Sequence, residues 1–182
     1  MNIRRIRSEF LSSHPYFKAR KDAYQLPGGK VVDPYFVVEL PPCVVVMALT
    51  RENDVILVRQ YRYPVDEVLL ELPGGFIEEG ELPEVAVRRE LREETGYDFE
   101  QFHYLGQAGG NPGVLNNFTH FYLAMDGYRV GTQSLDSNEE IEVLLMPLEK
   151  LKETLLQSGI KQSLHALCLF FGLEFLGRKE VK

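Results

Sequence analysis

Between residues 71 and 97 the chain reads ELPGGFIEEGELPEVAVRRELREETGY, a glycine turn followed by a helix with a marked start and a marked end. Pro83 suits the first helical turn, where its missing N–H would have had no partner anyway. Gly96 suits the position just past the last turn, where the backbone swings left-handed. The helix carries Glu90, Glu93 and Glu94, which at 3.6 residues per turn fall within an arc of about 100°. Like charges at these spacings destabilise an isolated helix by a few tenths of a kcal/mol per pair, and Arg89 and Arg92 offset part of that. A solvated charged face is one reading. A cation site is the other, because clustered carboxylates are hard oxygen donors suited to Mg²⁺ or Mn²⁺ rather than Zn²⁺. A free carbonyl in the glycine turn is a natural additional ligand, and a metal beside such a turn is equipment for phosphate chemistry.

The same four letters, LPGG, occur earlier in QLPGGKVVDP (25–34) without the glutamates. There they sit between two strand-like segments, YFKARKDAYQL and KVVDPYFVVEL, and read as a hairpin turn over 16–40. PPCVVVMAL, DVILVRQYR, EVLLELPGG, FHYLGQAGG, FTHFYLAMD and IEVLLMPL read as further strands. Pro147 leads into LEKLKETLLQSG, a helix stopped by Gly159, and IKQSLHALCLFFGLEFL is a second, largely apolar helix expected to pack on a sheet. Strands with about three interleaved helices give an α/β (α+β) sandwich with a small N-terminal antiparallel β-unit. The expected boundaries are 1–42 for that unit and 43–182 for the main domain.

Composition limits the partners. The formal charge of −7 disfavours nucleic acid and anionic membranes. Residues 1–40 hold 7 Lys/Arg against 4 Asp/Glu, or +3, so the remainder carries −10. Cys43 and Cys168 form no CxxC and imply buried thiols in a reducing compartment. The basic N-terminus lacks the apolar stretch of a secretory signal, and the runs CVVVMAL and LCLFFGL are too short to span a membrane. The expectation is a cytoplasmic protein. His14, His103, His120 and His165 show no metal-ligand spacing, and His165 reads as a core histidine. PGGK at 27–30 lacks the context of a phosphate-binding P-loop.

From Gly75, five residues lead to Glu81 and seven more to Arg89, followed by Glu90, Leu91, Arg92, Glu93, Glu94, Thr95, Gly96 and Tyr97. This resembles the Nudix box, G-x5-E-x7-R-E-U-x-E-E-x-G-U with U a bulky apolar residue; an aromatic Tyr97 at the last position is slightly unusual. The resemblance implies the Nudix α/β/α sandwich with a mixed sheet and a divalent-metal hydrolase of nucleoside diphosphates linked to another group. Carried over by position, Glu90 and Glu94 are the principal metal ligands, with Glu93 joining directly or through water and the Gly74 carbonyl completing the set. Arg89, grouped with the catalytic residues, orients a glutamate by a salt bridge. Glu81 and Gly96 shape the loop–helix–loop.

Three further segments resemble the ADP-ribose pyrophosphatase, or nucleoside-diphosphate-sugar hydrolase, branch. In LVRQYRYPV (57–65) followed by ELPGG, Arg62 is expected to face a substrate phosphate, a role suited to its forked guanidinium, with Gly75 beside it. In NPG (111–113), Pro112 and Gly113 are expected at the substrate, Pro112 lying sixteen residues beyond Gly96. Val114-Leu115-Asn116-Asn117 follows where the branch commonly has an acidic residue, which leaves GDP-mannose or ADP-glucose open beside ADP-ribose. In SLDSNEEIEVLLMPL (134–148), Glu139 matches the general base, with Glu140 in reserve. The branch also implies a homodimer built through the N-terminal unit, with Tyr24, Tyr35 and Phe36 as candidates for stacking the base. Competing readings are a Nudix hydrolase of dinucleoside polyphosphates or nucleoside triphosphates, and a non-catalytic sugar-nucleotide sensor.

Overall fold

The computed structural model describes residues 2–14 and 17–180. Tyr16, expected to open the first strand of the hairpin, lies outside these residues. The chain divides into two compact units, one comprising the residues up to Pro41 together with Gly109–Phe118, the other comprising Pro42–Ala108 and Thr119 onward.

The first unit is a three-stranded antiparallel sheet of β1 (Arg4–His14), β2 (Phe17–Gln25) and β3 (Val31–Glu39), in that order. β2 and β3 are the expected hairpin, and β1 adds a strand that the sequence did not announce. Its residues RRIRSEFLSSH are nearly all exposed, so the alternation of apolar and polar positions that marks a half-buried strand is missing. The segment 109–118 joins this unit through a parallel bridge of Leu115 to Val38 and through Val38 N–H donating to the Val114 carbonyl at 2.9 Å.

The second unit is a mixed eight-stranded sheet between helices. β4 (Cys43–Thr50) lies at its centre, antiparallel to β5 (Asp54–Arg62) and parallel to β10 (Thr119–Arg129). β11 (Ile141–Pro147) and β6 (Glu67–Glu71) pair with β5, β7 (Gly74–Phe76) with β4, and β8 (Tyr97–Asp98) and β9 (Gln101–Ala108) with β10. The continuous apolar run of β4 follows from burial on both faces. On one face Val44, Val46, Ala48, Ile56 and Tyr122 pack against Ala86, Val87 and Leu91 of α1 (Pro83–Thr95). On the other, Val45, Met47, Leu57, Phe121 and Leu123 meet Leu151 and Leu155 of α2 (Leu148–Leu156) and Cys168 and Leu169 of α3 (Ser163–Glu180). This is the expected α/β/α sandwich with its mixed sheet and separate small antiparallel sheet. Among the described residues no helix is long and apolar enough to cross a membrane.

Candidate active site

α1 starts and ends where its sequence dictates. Leu82 is its extended N-cap with Pro83 next in line, and Gly96 closes it at φ 72°, its N–H donating to the Arg92 carbonyl. The helix lies over β7, and the two glycines of the second LPGG make that approach close. A Cβ at Gly74 would come within 2.9 Å of Val45 Cα, so backbone blocks any side chain there. A Cβ at Gly75 would lie 2.5 Å from Cδ of Glu90, so the missing side chain is the space that the Glu90 carboxylate occupies.

The three helix glutamates are held differently. Glu94 is buried at 6% exposure and accepts a hydrogen bond from Gly74 N–H at 2.9 Å. Burial pushes its carboxyl up to about 8; Glu90 and Glu139 push the same way, while the Gly74 N–H and Arg62 oppose. Glu90 is raised as well, first by burial, against the opposing pull of Arg89. Glu93 is the most open of the three, with 44% of its side chain exposed.

Arg89 explains how three carboxylates sit together on one short helix. Its Nε and Nη2 clasp Glu81 at 2.9 Å each, and Nη1 donates to Glu90 at 2.9 Å and to Glu93 at 3.1 Å. Nη2 also donates to the Phe76 carbonyl at 3.1 Å. The five N–H donors of a guanidinium are therefore all engaged by neighbours in the glycine-turn segment and the helix, and none is left for an incoming ligand. These contacts raise the Arg89 pKa further, the Glu81 hydrogen bonds most of all.

Among the described residues no group of three or more acidic, histidine or cysteine side chains is already gathered as a metal site. The donor set nonetheless fits a hard divalent cation. Glu94 is a buried carboxylate with no cationic hydrogen-bond partner among the described residues, and burial is the main reason its pKa is raised. Glu90 lies beside it with its carboxylate in the cradle left by Gly75. Few protein oxygens with room for water and phosphate oxygens is the arrangement that suits Mg²⁺.

Arg62 and Glu139 add two further charges that act on Glu94. Arg62, at the end of β5, places Nε and Nη2 on Glu71 at 3.0 and 2.6 Å, and Glu71 is only 1% exposed. The arginine is thus a braced cation whose pKa is raised, chiefly by Glu71 and further by Glu94 and Glu139. Glu71 is a residue that sequence reasoning missed; it is the second of two glutamates that bracket the apolar run of EVLLE, and nothing local sets it apart from the first. Glu139 stands in the loop between β10 and β11, its carboxylate accepting from Asp136 N–H at 3.2 Å. Its charge acts on Glu90, Glu94 and Arg62. Glu140, next to it, lines instead a cavity of about 660 Å³ with Thr95, Tyr97, Arg129 and Gln133.

His165 of α3 accepts the Leu72 N–H on Nδ1 at 3.0 Å, tying the helix to the residue two before Gly74. Burial lowers its pKa to about 4, so it is neutral, as a core histidine should be.

The remaining site candidates lie together in the first unit. The Tyr35 hydroxyl donates to the Gly113 carbonyl at 2.7 Å, and Tyr24 packs edge-on against Tyr35 with ring centroids 5.5 Å apart. Pro112 and Gly113 are exposed, as is Phe36. Asn116 Oδ1 accepts from Leu40 N–H at 3.0 Å and Asn117 Nδ2 donates to the Pro41 carbonyl at 2.9 Å.

Residues 39–167 match the family described as the NUDIX domain. The chain is 32% identical to a methanol dehydrogenase activator of Bacillus methanolicus, over 87% of this chain and 85% of that protein. It is 35% identical to an ADP-ribose pyrophosphatase of Bacillus subtilis strain 168, over 69% of this chain and 68% of that protein. The crystal structure of an ADP compounds hydrolase superposes with a TM-score of 0.86 at 20% identity, covering 98% of this chain and 96% of that one.

Proposed function

This chain belongs to the Nudix family, and from that premise we propose that it hydrolyses the pyrophosphate of nucleoside diphosphate sugars, taking ADP-ribose to AMP and ribose 5-phosphate. The observation that carries the reading is the buried Glu94 beside Glu90 and the Gly74–Gly75 turn, with the charge of Glu139 acting on both glutamates.

Glu90, Glu94, Glu93 and the Gly74 carbonyl would hold Mg²⁺, or Mn²⁺ in its place. The ion, when bound, neutralises phosphate oxygens and lowers the pKa of water. Arg89 holds Glu90 and Glu93 in place through its own hydrogen bonds. Arg62, braced by Glu71, presents its remaining edge to a phosphate oxygen. Glu139 accepts a proton from water as the water oxygen bonds to one phosphorus; the bridging P–O bond breaks, and the leaving phosphate carries its electron pair away. A base on a loop, near the cation ligands without being one, can close over substrate and release product. Glu140 faces the neighbouring cavity and is the weaker candidate for the base.

Residues 1–42 act in this reading as a dimerisation unit and 43–182 as the hydrolase domain, in a cytoplasmic homodimer. Ile6, Phe10, Leu11 and Phe36 stand more than half exposed on the small sheet of the single chain, an apolar surface that a second copy would cover. A sedimentation mass near the monomer's 20.9 kDa at micromolar concentration would count decisively against the dimer.

One observation favours a second reading, a preference for GDP-mannose or ADP-glucose. The loop after Pro112-Gly113 carries no acid, and the side chains of Asn116 and Asn117 bond to the Leu40 and Pro41 backbone. Ion-exchange analysis of products with Mg²⁺ tests both readings against ADP-ribose, ADP-glucose, GDP-mannose, a dinucleoside polyphosphate and dGTP. A nucleoside monophosphate with a sugar phosphate is the expected outcome, and the rate ranking names the sugar. Cleavage of only the last two substrates would overturn the assignment, and cleavage of none would point to a sensor.

A further inference from the structure

The last carbonyls of a helix have no partner within it and must find one elsewhere. At the C-terminal end of α1 the segment 130–134 supplies them. Val130 N–H and Gly131 N–H donate to the Gly96 carbonyl at 2.9 and 3.2 Å, and Ser134 N–H donates to the Glu93 carbonyl at 2.8 Å. The carbonyl of Glu94 is taken by a side chain, Nε2 of Gln133, at 2.7 Å. The same Nε2 also donates to the carbonyl of Ile141, the first residue of β11, at 3.0 Å. An amide nitrogen has two hydrogens, and both are spent on these two carbonyls.

Gln133 therefore sits where the loop 134–140 leaves and returns. One hydrogen holds the helix residue that carries the buried carboxylate, and the other holds the strand into which the loop runs. Between these anchors lies Glu139, whose charge is felt at Glu90 and Glu94. We infer that Gln133 is a positioning residue for the hydrolysis: its amide fixes the loop that carries Glu139 against the helix that carries Glu94. The inference rests on the assignment of Glu139 as the base. Removing the two donors lengthens and loosens the path between base and cation ligands. A misplacement of about 1 Å between reacting groups can cost on the order of 10²-fold in rate. Gln133 is itself exposed, so water can satisfy the released carbonyls and the expected loss is smaller.

The test is a double-mutant cycle on the full chain with Mg²⁺ and ADP-ribose, using Gln133→Met, which keeps the length of the side chain and removes both donors. Alone it is expected to lower kcat roughly tenfold, in line with about 1.4 kcal/mol from two hydrogen bonds. KM for ADP-ribose and the Mn²⁺ dissociation constant stay within about twofold, since neither involves the base. In the Glu139→Gln background the same substitution should change kcat by less than about twofold, because the group it positions is gone. An equal loss in both backgrounds overturns the inference and leaves Gln133 a structural residue. A normal kcat for Gln133→Met beside a crippled Glu139→Gln removes the clasp alone. Near-normal turnover of Glu139→Gln removes the base assignment and the clasp's purpose with it. If Gln133→Met is too unstable to assay, Gln133→Asn, the same amide on a shorter stem, carries the same comparison.

Discussion

The two LPGG segments share four letters and almost nothing else. In the first, Gly28 and Gly29 have open space around them, and the turn is closed by Gly29 N–H donating to the Leu26 carbonyl at 2.9 Å. In the second, a side chain at Gly74 would strike the backbone of β4 and one at Gly75 would strike the Glu90 carboxylate. The first pair serves only the chain's reversal, with Gly29 at φ 84°. The second pair serves what surrounds it: a strand partner, the buried Glu94 and the carboxylate of Glu90. A turn motif thus acquires its steric demands from its neighbours.

The largest effect should come from removing charge beside the second turn. Glu94→Gln keeps the acceptor for Gly74 N–H and loses the carboxylate proposed as a principal cation ligand, so kcat should fall by several orders of magnitude. The same change should stabilise the metal-free protein. The carboxyl titrates near 4.5 when unfolded and at about 8 when folded, so the folded state holds the extra proton between those values. Stability is therefore present at low pH and lost as pH rises from about 4.5 through 8, by about 1.4 kcal/mol for each pH step of one across that window. In EDTA at pH 8, Glu94→Gln should melt above the parent. A lower Tm there would show that the carboxylate is not under strain.

Next come the glycines themselves. Gly75→Ala should displace the end of a flexible glutamate, leaving Tm within a few degrees while kcat drops on the order of 10²-fold. Gly28→Ala, in open space, should change neither. Equal activity of the two variants would erase the contrast between the turns.

Arg62→Lys should have a smaller effect, raising KM roughly tenfold through loss of a forked, charge-assisted contact. Glu71→Gln should move KM in the same direction, because a neutral partner braces the fork less firmly. If either variant altered kcat and left KM unchanged, Arg62 would not be a ground-state phosphate contact.

The grouping of charges beside the second turn was legible in the sequence because most of it is local. Glu90, Glu93, Glu94 and Arg89 meet through helical spacing, and the helix that presents them is fixed by Pro83 and Gly96. The central strands were equally legible, since burial on both faces writes a continuous apolar run. What escaped depends on backbone groups far away in sequence. Gln133 is defined by the carbonyls of Glu94 and Ile141, and no residue type marks a carbonyl. Glu71 reads as an ordinary strand residue until Arg62 is placed across the hairpin. β1 escaped because its side chains are exposed in the single chain and leave no period. The pairing of 109–118 with β3 is a contact across more than seventy residues that no local pattern encodes.

The last contrast separates the turns through α3 and bears on stability alone. Among the described residues only the second LPGG is pinned by a histidine, Nδ1 of His165 accepting from Leu72 N–H. That imidazole titrates at about 4 in the folded protein against 6.5 in the unfolded chain. Between those values the unfolded state binds the extra proton, so the folded state loses ground as pH falls from 6.5 to 4. The full difference is about 3 kcal/mol. His165→Asn retains an acceptor near the position of Nδ1 and has nothing to protonate. It should begin less stable at pH 7, since the smaller side chain leaves a gap, yet its Tm should fall less steeply than the parent's between pH 6.5 and 4.5. Carboxylates that titrate in both proteins cancel in the difference between the two curves. Parallel curves would mean that folding leaves the proton affinity of the imidazole unchanged.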